Sequence, residues 1–237
     1  GIDSDFLDYS NGVPSSNLSV FDGESIQSVY KALGDSYGYG DQQAFLGYQS
    51  YLINHVDDLP NNYVSNALYS NVDQLLSIDR KGDHLVHSLN LSTSYNDNVY
   101  LGLNFNFHSL EFEEYKFFKE SGYSSNSNVK RVQFEENLFS YGQGLSIQLG
   151  SLLKFNNFRV GLSYTSPTYL KIEEESSQYI ESDIIEDDTL KTVTVDPNTI
   201  NLFEDYRLRL PSKTMLSLAY IFRSKGLISV DYELTKY

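Results

Sequence analysis

Cysteine and tryptophan are absent from the 237 residues, and methionine occurs once. Without cysteine there is neither a disulfide framework nor a thiolate metal site. Basic residues are scarce: 17 Lys and Arg stand against 32 Asp and Glu, a formal net charge of −15. Nucleic-acid binding rests on a basic footprint, so no nucleic acid is expected as a partner. No apolar run approaches the roughly 18 residues that a spanning helix needs. The chain opens on "GIDSDFLDYSNG", polar and acidic and unlike a signal peptide; a trimmed secreted chain would open the same way. Catalytic signatures are missing too: no nucleophile elbow, no phosphate loop, no Cys/His or paired-carboxylate set at a defined spacing. No enzyme activity and no cofactor are expected.

What the chain has in quantity is aromatic residues, with Tyr at 20 and Phe at 14. Aromatic and β-branched side chains fit a pleated surface, so the composition favours strands. Residues 1–82 are irregular and rich in Ser, Asn, Asp, Gly and Tyr, with two short helical patterns. One is "ESIQSVYKAL", with Ile26, Val29, Tyr30 and Leu33 at helical spacing and Gly34 as its end. The other is "QQAFLGYQSYLI", with Phe45, Tyr48, Tyr51 and Leu52.

From residue 83 the period changes to two. Leu85, Leu89 and Leu91 oppose Ser88, Asn90, Ser92 and Ser94. After a turn at 96–98, Val99, Leu101, Leu103, Phe105 and Phe107 oppose Tyr100, Gly102, Asn104, Asn106 and His108. A return strand from Val129 to Phe155 changes phase near "YGQG": Val132 and Phe134 are even, Leu145, Ile147 and Leu149 odd. Glycines there suggest a bulge or kink at Gly142 and Gly144. Alternation resumes at 158–165, at 207–222 and at 227–237, with a turn at 223–226. The acidic run 173–188 between them reads as a solvated loop.

Two architectures produce such alternation, a soluble sheet and a membrane barrel. Strands of globular proteins run about 5–6 residues, whereas a tilted spanning strand needs about 9–11, and most segments here sustain alternation for at least the latter. The connections run short, long, short, long, short, as the turns and loops of outer-membrane barrels do. The expected fold is therefore all-β: an antiparallel transmembrane barrel with long extracellular loops carrying short helices, residues 1–82 being one such loop and 83–237 consecutive barrel strands. That gives about six spanning strands, too few to close, so further strands are expected on both sides. A soluble β-rich surface domain is the remaining alternative.

Several segments carry a resemblance: "AFLGYQSYLIN", "VYLGLNFNF", "YGQGLSIQLGSLLKFNNFRVGLSYTSPTYLKIEEE" and "LRLPSKTMLSLAYIFRSKGLISVDYE". They resemble the FadL/TodX-type outer-membrane transporters of hydrophobic compounds, in the form common in Bacteroidetes. The likeness covers most of the chain and the middle of the family's length, without its hatch or its terminal strands. It implies a fourteen-stranded bacterial outer-membrane barrel that passes long-chain fatty acids or similar hydrophobic small molecules by passive, hatch-gated diffusion. Membrane lipids, lipopolysaccharide and other outer-membrane proteins would be its neighbours, and no cofactor is implied. Relatives of the same fold serve instead in docking or surface secretion.

Candidate sites follow from these readings. Phe45, Leu46, Tyr48, Tyr51 and Leu52 could form a surface groove for an acyl chain, or pack the loop onto the barrel rim. Tyr100, Asn104, Asn106 and His108 are the candidates for a polar lumen. Gly142 and Gly144 mark a possible wall kink. His84 and His87 point to opposite faces of a strand, so no metal site is expected there, and the acidic run lacks the spacing of a calcium loop.

Overall fold

The structure is a computed structural model that describes residues 1–223 and 225–237. Strands make up 61% of the chain and helices 14%, so the fold is mostly β, as the aromatic-rich composition demands. The chain begins with α1 (Ile2–Ser10), a 3-10 turn (Ser15–Asn17), α2 (Ile26–Ser36), α3 (Tyr39–Gln49), β1 (Ile53–Val56) and β2 (Leu59–Ser65). Three long strands follow: β3 (Asp73–Tyr95), β4 (Val99–Ser121) and β5 (Val129–Phe155). Then come β6 (Phe158–Thr165), β7 (Thr168–Glu186), β8 (Thr189–Val195), β9 (Asn201–Leu202), β10 (Tyr206–Leu210), β11 (Ser212–Ile221) and β12 (Leu227–Lys236).

β1 and β2 form a hairpin of their own; the other strands make one antiparallel sheet. Its path is a meander: β3 pairs β4, β4 pairs β5, and β5 pairs β7 and β6. β6 pairs β11, β7 pairs β10, and β11 pairs β12, while β8 and β9 lie against β7. β6 and β7 are separated by Ser166 and Pro167, and β10 and β11 by Pro211. Proline has no N–H to give to a ladder, so each break falls where one bond must be missing. Counted this way, the six expected strands are present. The sheet is open: among the described residues β3 pairs only β4, and β12 only β11. Among the described residues no closed barrel is formed.

The short connections are made by residues that tolerate the left-handed region. Asn96 and Asp97 have φ of 49° and 56°, Asn156 has 49°, and Asp187 and Asp188 have 50° and 58°. Asn and Asp visit that region more readily than other side chains do. Of the turn expected at 223–226, Ser224 lies outside the described residues.

Four expectations need correction. β3 starts at Asp73, ten residues before the expected boundary. The amino-terminal segment "IDSDFLDYS" is helical, not irregular. α2 continues through Gly34 to Ser36; a Cβ at Gly34 would stand 2.4 Å from Gln42 Nε2, so the glycine makes room for the Gln42 amide of α3 instead of ending the helix. The acidic run is not a loop but most of β7. There Ile172, Ser176, Gln178, Ile180, Ser182 and Ile184 are buried, while the acids fall between them.

The chain divides into two compact units. The first comprises residues 1–81, 113–139 and 175–202. Phe6, Leu18, Tyr30, Leu33, Phe45, Leu46, Leu52, Val132, Phe134 and Ile180 are its buried core. α2 enters this core through a capping box: the Ser25 hydroxyl accepts from Ser28 N at 3.1 Å, and the Ser28 hydroxyl accepts from Ser25 N at 2.9 Å. Buried polar groups tie the helices to the strands. Gln178 Oε1 accepts from Tyr30 Oη at 2.8 Å and from Gln43 Nε2 at 2.6 Å. Gln178 Nε2 donates to Tyr39 Oη and to Glu136 Oε1, both at 2.8 Å. Burial pushes the Tyr30 phenol up to about 12, so it serves as a neutral donor. Arg131 of β5 forks onto Asp183 at 2.7 Å and Glu181 at 2.5 Å on β7, and holds the Asp183 carboxyl below its usual range.

Gln178 fills both its donor and acceptor capacity inside the core, and its removal strands several buried partners at once. Gln178→Leu is expected to cost about 3 kcal/mol, read as faster hydrogen exchange throughout α2 and α3. Unchanged protection in both helices would show that the amide is not what fastens them.

Candidate functional site

The second unit comprises residues 82–112, 140–174 and 203–237. Its strands have two chemically distinct faces, and the register aligns them in rows. One row is Phe155, Phe158, Tyr220 and Ile228; the next is Leu153, Val160, Leu218 and Val230. Two steps on, Leu149 and Tyr164 align with Thr214 and Leu234, with Ser151, Leu162, Leu216 and Tyr232 between. These side chains are not covered by any part of the unit: Leu162 is 51% exposed, Leu218 49% and Val230 65%. Leu89, Leu91 and Leu101 are equally open. At the short-turn edge the rings of Phe158, Tyr220 and Phe222 pack edge to face, with centroids 4.7 and 4.8 Å apart. The unit also holds a groove of about 620 Å³ whose lining includes Leu91, Leu101, Leu149, Leu162 and Tyr164.

The opposite face is polar and is hydrogen-bonded from strand to strand. Asn104 and Asn90 join β4 to β3, and Asn104 Nδ2 donates to Gln148 Oε1 on β5 at 3.0 Å. The Ser88 hydroxyl donates to Asn106 Oδ1 at 2.7 Å, and Asn106 reaches the Ser146 hydroxyl at 3.5 Å. His84 stacks on His108 with ring nitrogens 3.0 Å apart, and His108 Nε2 lies 2.8 Å from Ser146 Oγ. Lys154 Nζ donates to Tyr100 Oη at 2.6 Å. Tyr100, Asn104, Asn106 and His108 thus share one face, three of them in a single cross-strand ladder. Sequence reasoning weighed His84 against His87 and named His108 as a polar-lumen candidate, but not the pairing of His84 with His108, which depends on strand register. Ser146, His108 and His84 are spaced like a nucleophile, a base and an orienting group. Ser146, however, is 3% exposed within the continuous strand β5, and in this arrangement the row bonds neighbouring strands together.

Gly142 and Gly144 lie within an unbroken strand. β5 is continuous from Val129 to Phe155, and neither glycine has a positive φ. The even residues of β5 are the more buried set along most of its length, so there is no slip of phase either. What changes is which residues are apolar. Val132 and Phe134 are even and belong to the first unit's core, while Leu145, Ile147 and Leu149 are odd and exposed. The glycines instead admit a close approach. A Cβ on Gly144 would lie 2.7 Å from Leu170 Cδ2 and 2.7 Å from the Tyr169 carbonyl; one on Gly142 would lie 2.7 Å from Ile172 Cδ1.

Phe45, Leu46 and Leu52 have no exposed surface and belong to the first unit's core, so they do not line a surface groove. They sit on and just after α3, whose buried side faces α1 closely enough that Gly47 has no room for a Cβ beside Phe6. Tyr48 is partly buried against Tyr63 and bonds His55 at 3.2 Å. Tyr51, at φ 57°, is the exposed member of the set. Among the described residues no three His, Asp or Glu side chains are grouped to hold a metal ion.

No protein-family model matches the chain, and no curated protein matches it.

The two glycines make different demands. A methyl at Gly144 meets backbone, whereas at Gly142 it meets the end of a flexible side chain. Gly144→Ala is therefore expected to destabilise by about 2 kcal/mol and Gly142→Ala by about 1 kcal/mol or less, in parallel denaturation curves. Equal costs would contradict the close-approach account.

Proposed function

We propose that the chain forms wall strands and a long extracellular loop region of a bacterial outer-membrane β-barrel, which passes hydrophobic small molecules, long-chain fatty acids in class, by passive diffusion. The observation that carries this reading is the aligned apolar face of the second unit. Patches beyond a few hundred Å² on a water-soluble surface mark an interface, and here whole rows of Leu, Val, Ile, Phe and Tyr stand open. Lipid covers such a face without further protein. The aromatic cluster at the short-turn edge suits a membrane–water boundary, where barrels carry aromatic girdles. The opposite face suits a wetted interior: its amides, hydroxyls and imidazoles already bond one another, and water satisfies what remains.

The ligand class rests on the resemblance to FadL/TodX-type transporters alone. In lipid an unpaired backbone group costs several kcal/mol. The free edges of β3 and β12 must therefore be hydrogen-bonded by further strands in the membrane.

Two measurements test the proposal. Membranes containing the protein are washed with alkaline carbonate, and the chain is expected to stay with the pellet. Liposomes holding the protein are then expected to take up a fluorescent long-chain fatty acid several-fold faster than empty ones. Release by carbonate would contradict the membrane reading; retention without uptake would contradict transport.

A further inference from the structure

The first unit contains a cavity that its helical cap does not fill. It measures about 650 Å³, within the range of small-ligand sites. α1 and α3 form one side of it, and β3, β4 and β5 the other. Phe6, Phe118 and Phe134 supply apolar wall, with Phe6 set edge to face on Phe134 at 6.0 Å. Tyr9 and Tyr39, also edge to face at 6.4 Å, add two phenol rings. Three carboxylates join them: Asp5 and Asp8, both exposed and one helical turn apart on α1, and Glu136, whose Oε1 accepts from Tyr39 Oη at 2.9 Å. Against these stands one side-chain ammonium, Lys116. Gly1 also lines the cavity, and the balance stays negative whether or not its nitrogen is charged.

An acyl carboxylate would find the apolar wall it needs here and a charge of the wrong sign beside it. A positively charged group on an apolar or aromatic body satisfies both parts: ring faces attract a cation, and carboxylates at the mouth neutralise it. We infer that this cavity is a binding site for small amphipathic cations, quaternary or primary amines carrying an apolar group, and that it discriminates against carboxylates of the same shape. This site lies wholly within the first unit, and the inference holds or fails independently of the membrane reading.

The test uses the full chain in a non-ionic detergent, with benzyltrimethylammonium and phenylacetate as probes of similar body and opposite charge, followed by saturation-transfer NMR. Benzyltrimethylammonium is expected to bind saturably and phenylacetate not to bind. Asp5 and Asp8 are exposed, so Asp5→Asn with Asp8→Asn should leave the core intact and weaken the cation about tenfold. Lys116→Gln should act in the opposite direction and tighten it about twofold. Equal binding of the two probes, or cation affinity indifferent to both variants, would overturn the inference.

Discussion

Strand alternation is the constraint on which everything else here depends. A strand places successive side chains on opposite faces, so each apolar set must find cover on one side of the sheet. In the first unit the cover comes from the chain's own helices, and the buried set includes Val132 and Phe134 of β5 with Ile180 and Ile184 of β7. In the second unit the apolar set lies on rows such as Leu153, Val160, Leu218 and Val230, which no other element of that unit covers.

Polar groups follow the same logic. Where they are sealed in, they are saturated: Gln178 bonds Tyr30 of α2, Tyr39 and Gln43 of α3, and Glu136 of β5. Where they line the polar face of the second unit, they form a looser ladder through Asn104, Asn106, His108 and Ser146. A buried amide without partners costs far more than one that water can reach. The two networks differ accordingly in how completely they close.

Much of the second unit could be read before the structure was known, because its strands are long and their turns carry Asn and Asp at the required positions. The hairpins around 96–98 and 156–157 are examples. The first unit was harder to read. Its helix α1 has acids at Asp3, Asp5 and Asp8, which mask a short apolar stripe of Ile2 and Phe6. β7 hides its alternation behind glutamates, although Ile180, Ser182 and Ile184 kept the period throughout. The apparent slip in β5 arose because the apolar residues are the buried even set in the first unit and the exposed odd set in the second. Residue pairings such as His84 with His108 depend on register, which local pattern does not contain. Phe45, Leu46 and Leu52 looked like ligand contacts for the reason that makes them core: both roles select large apolar side chains.

The proposed membrane reading stands on the claim that the apolar rows contact lipid and the opposite face contacts water. The chain has no cysteine, so single cysteines for spin labels can be placed along β11 without background. In reconstituted bilayers, collision with molecular oxygen should peak at Leu216, Leu218 and Tyr220, and collision with a water-soluble nickel chelate at Ser217 and Ala219, the two profiles alternating out of phase. Profiles that rise and fall together along the strand would contradict the account.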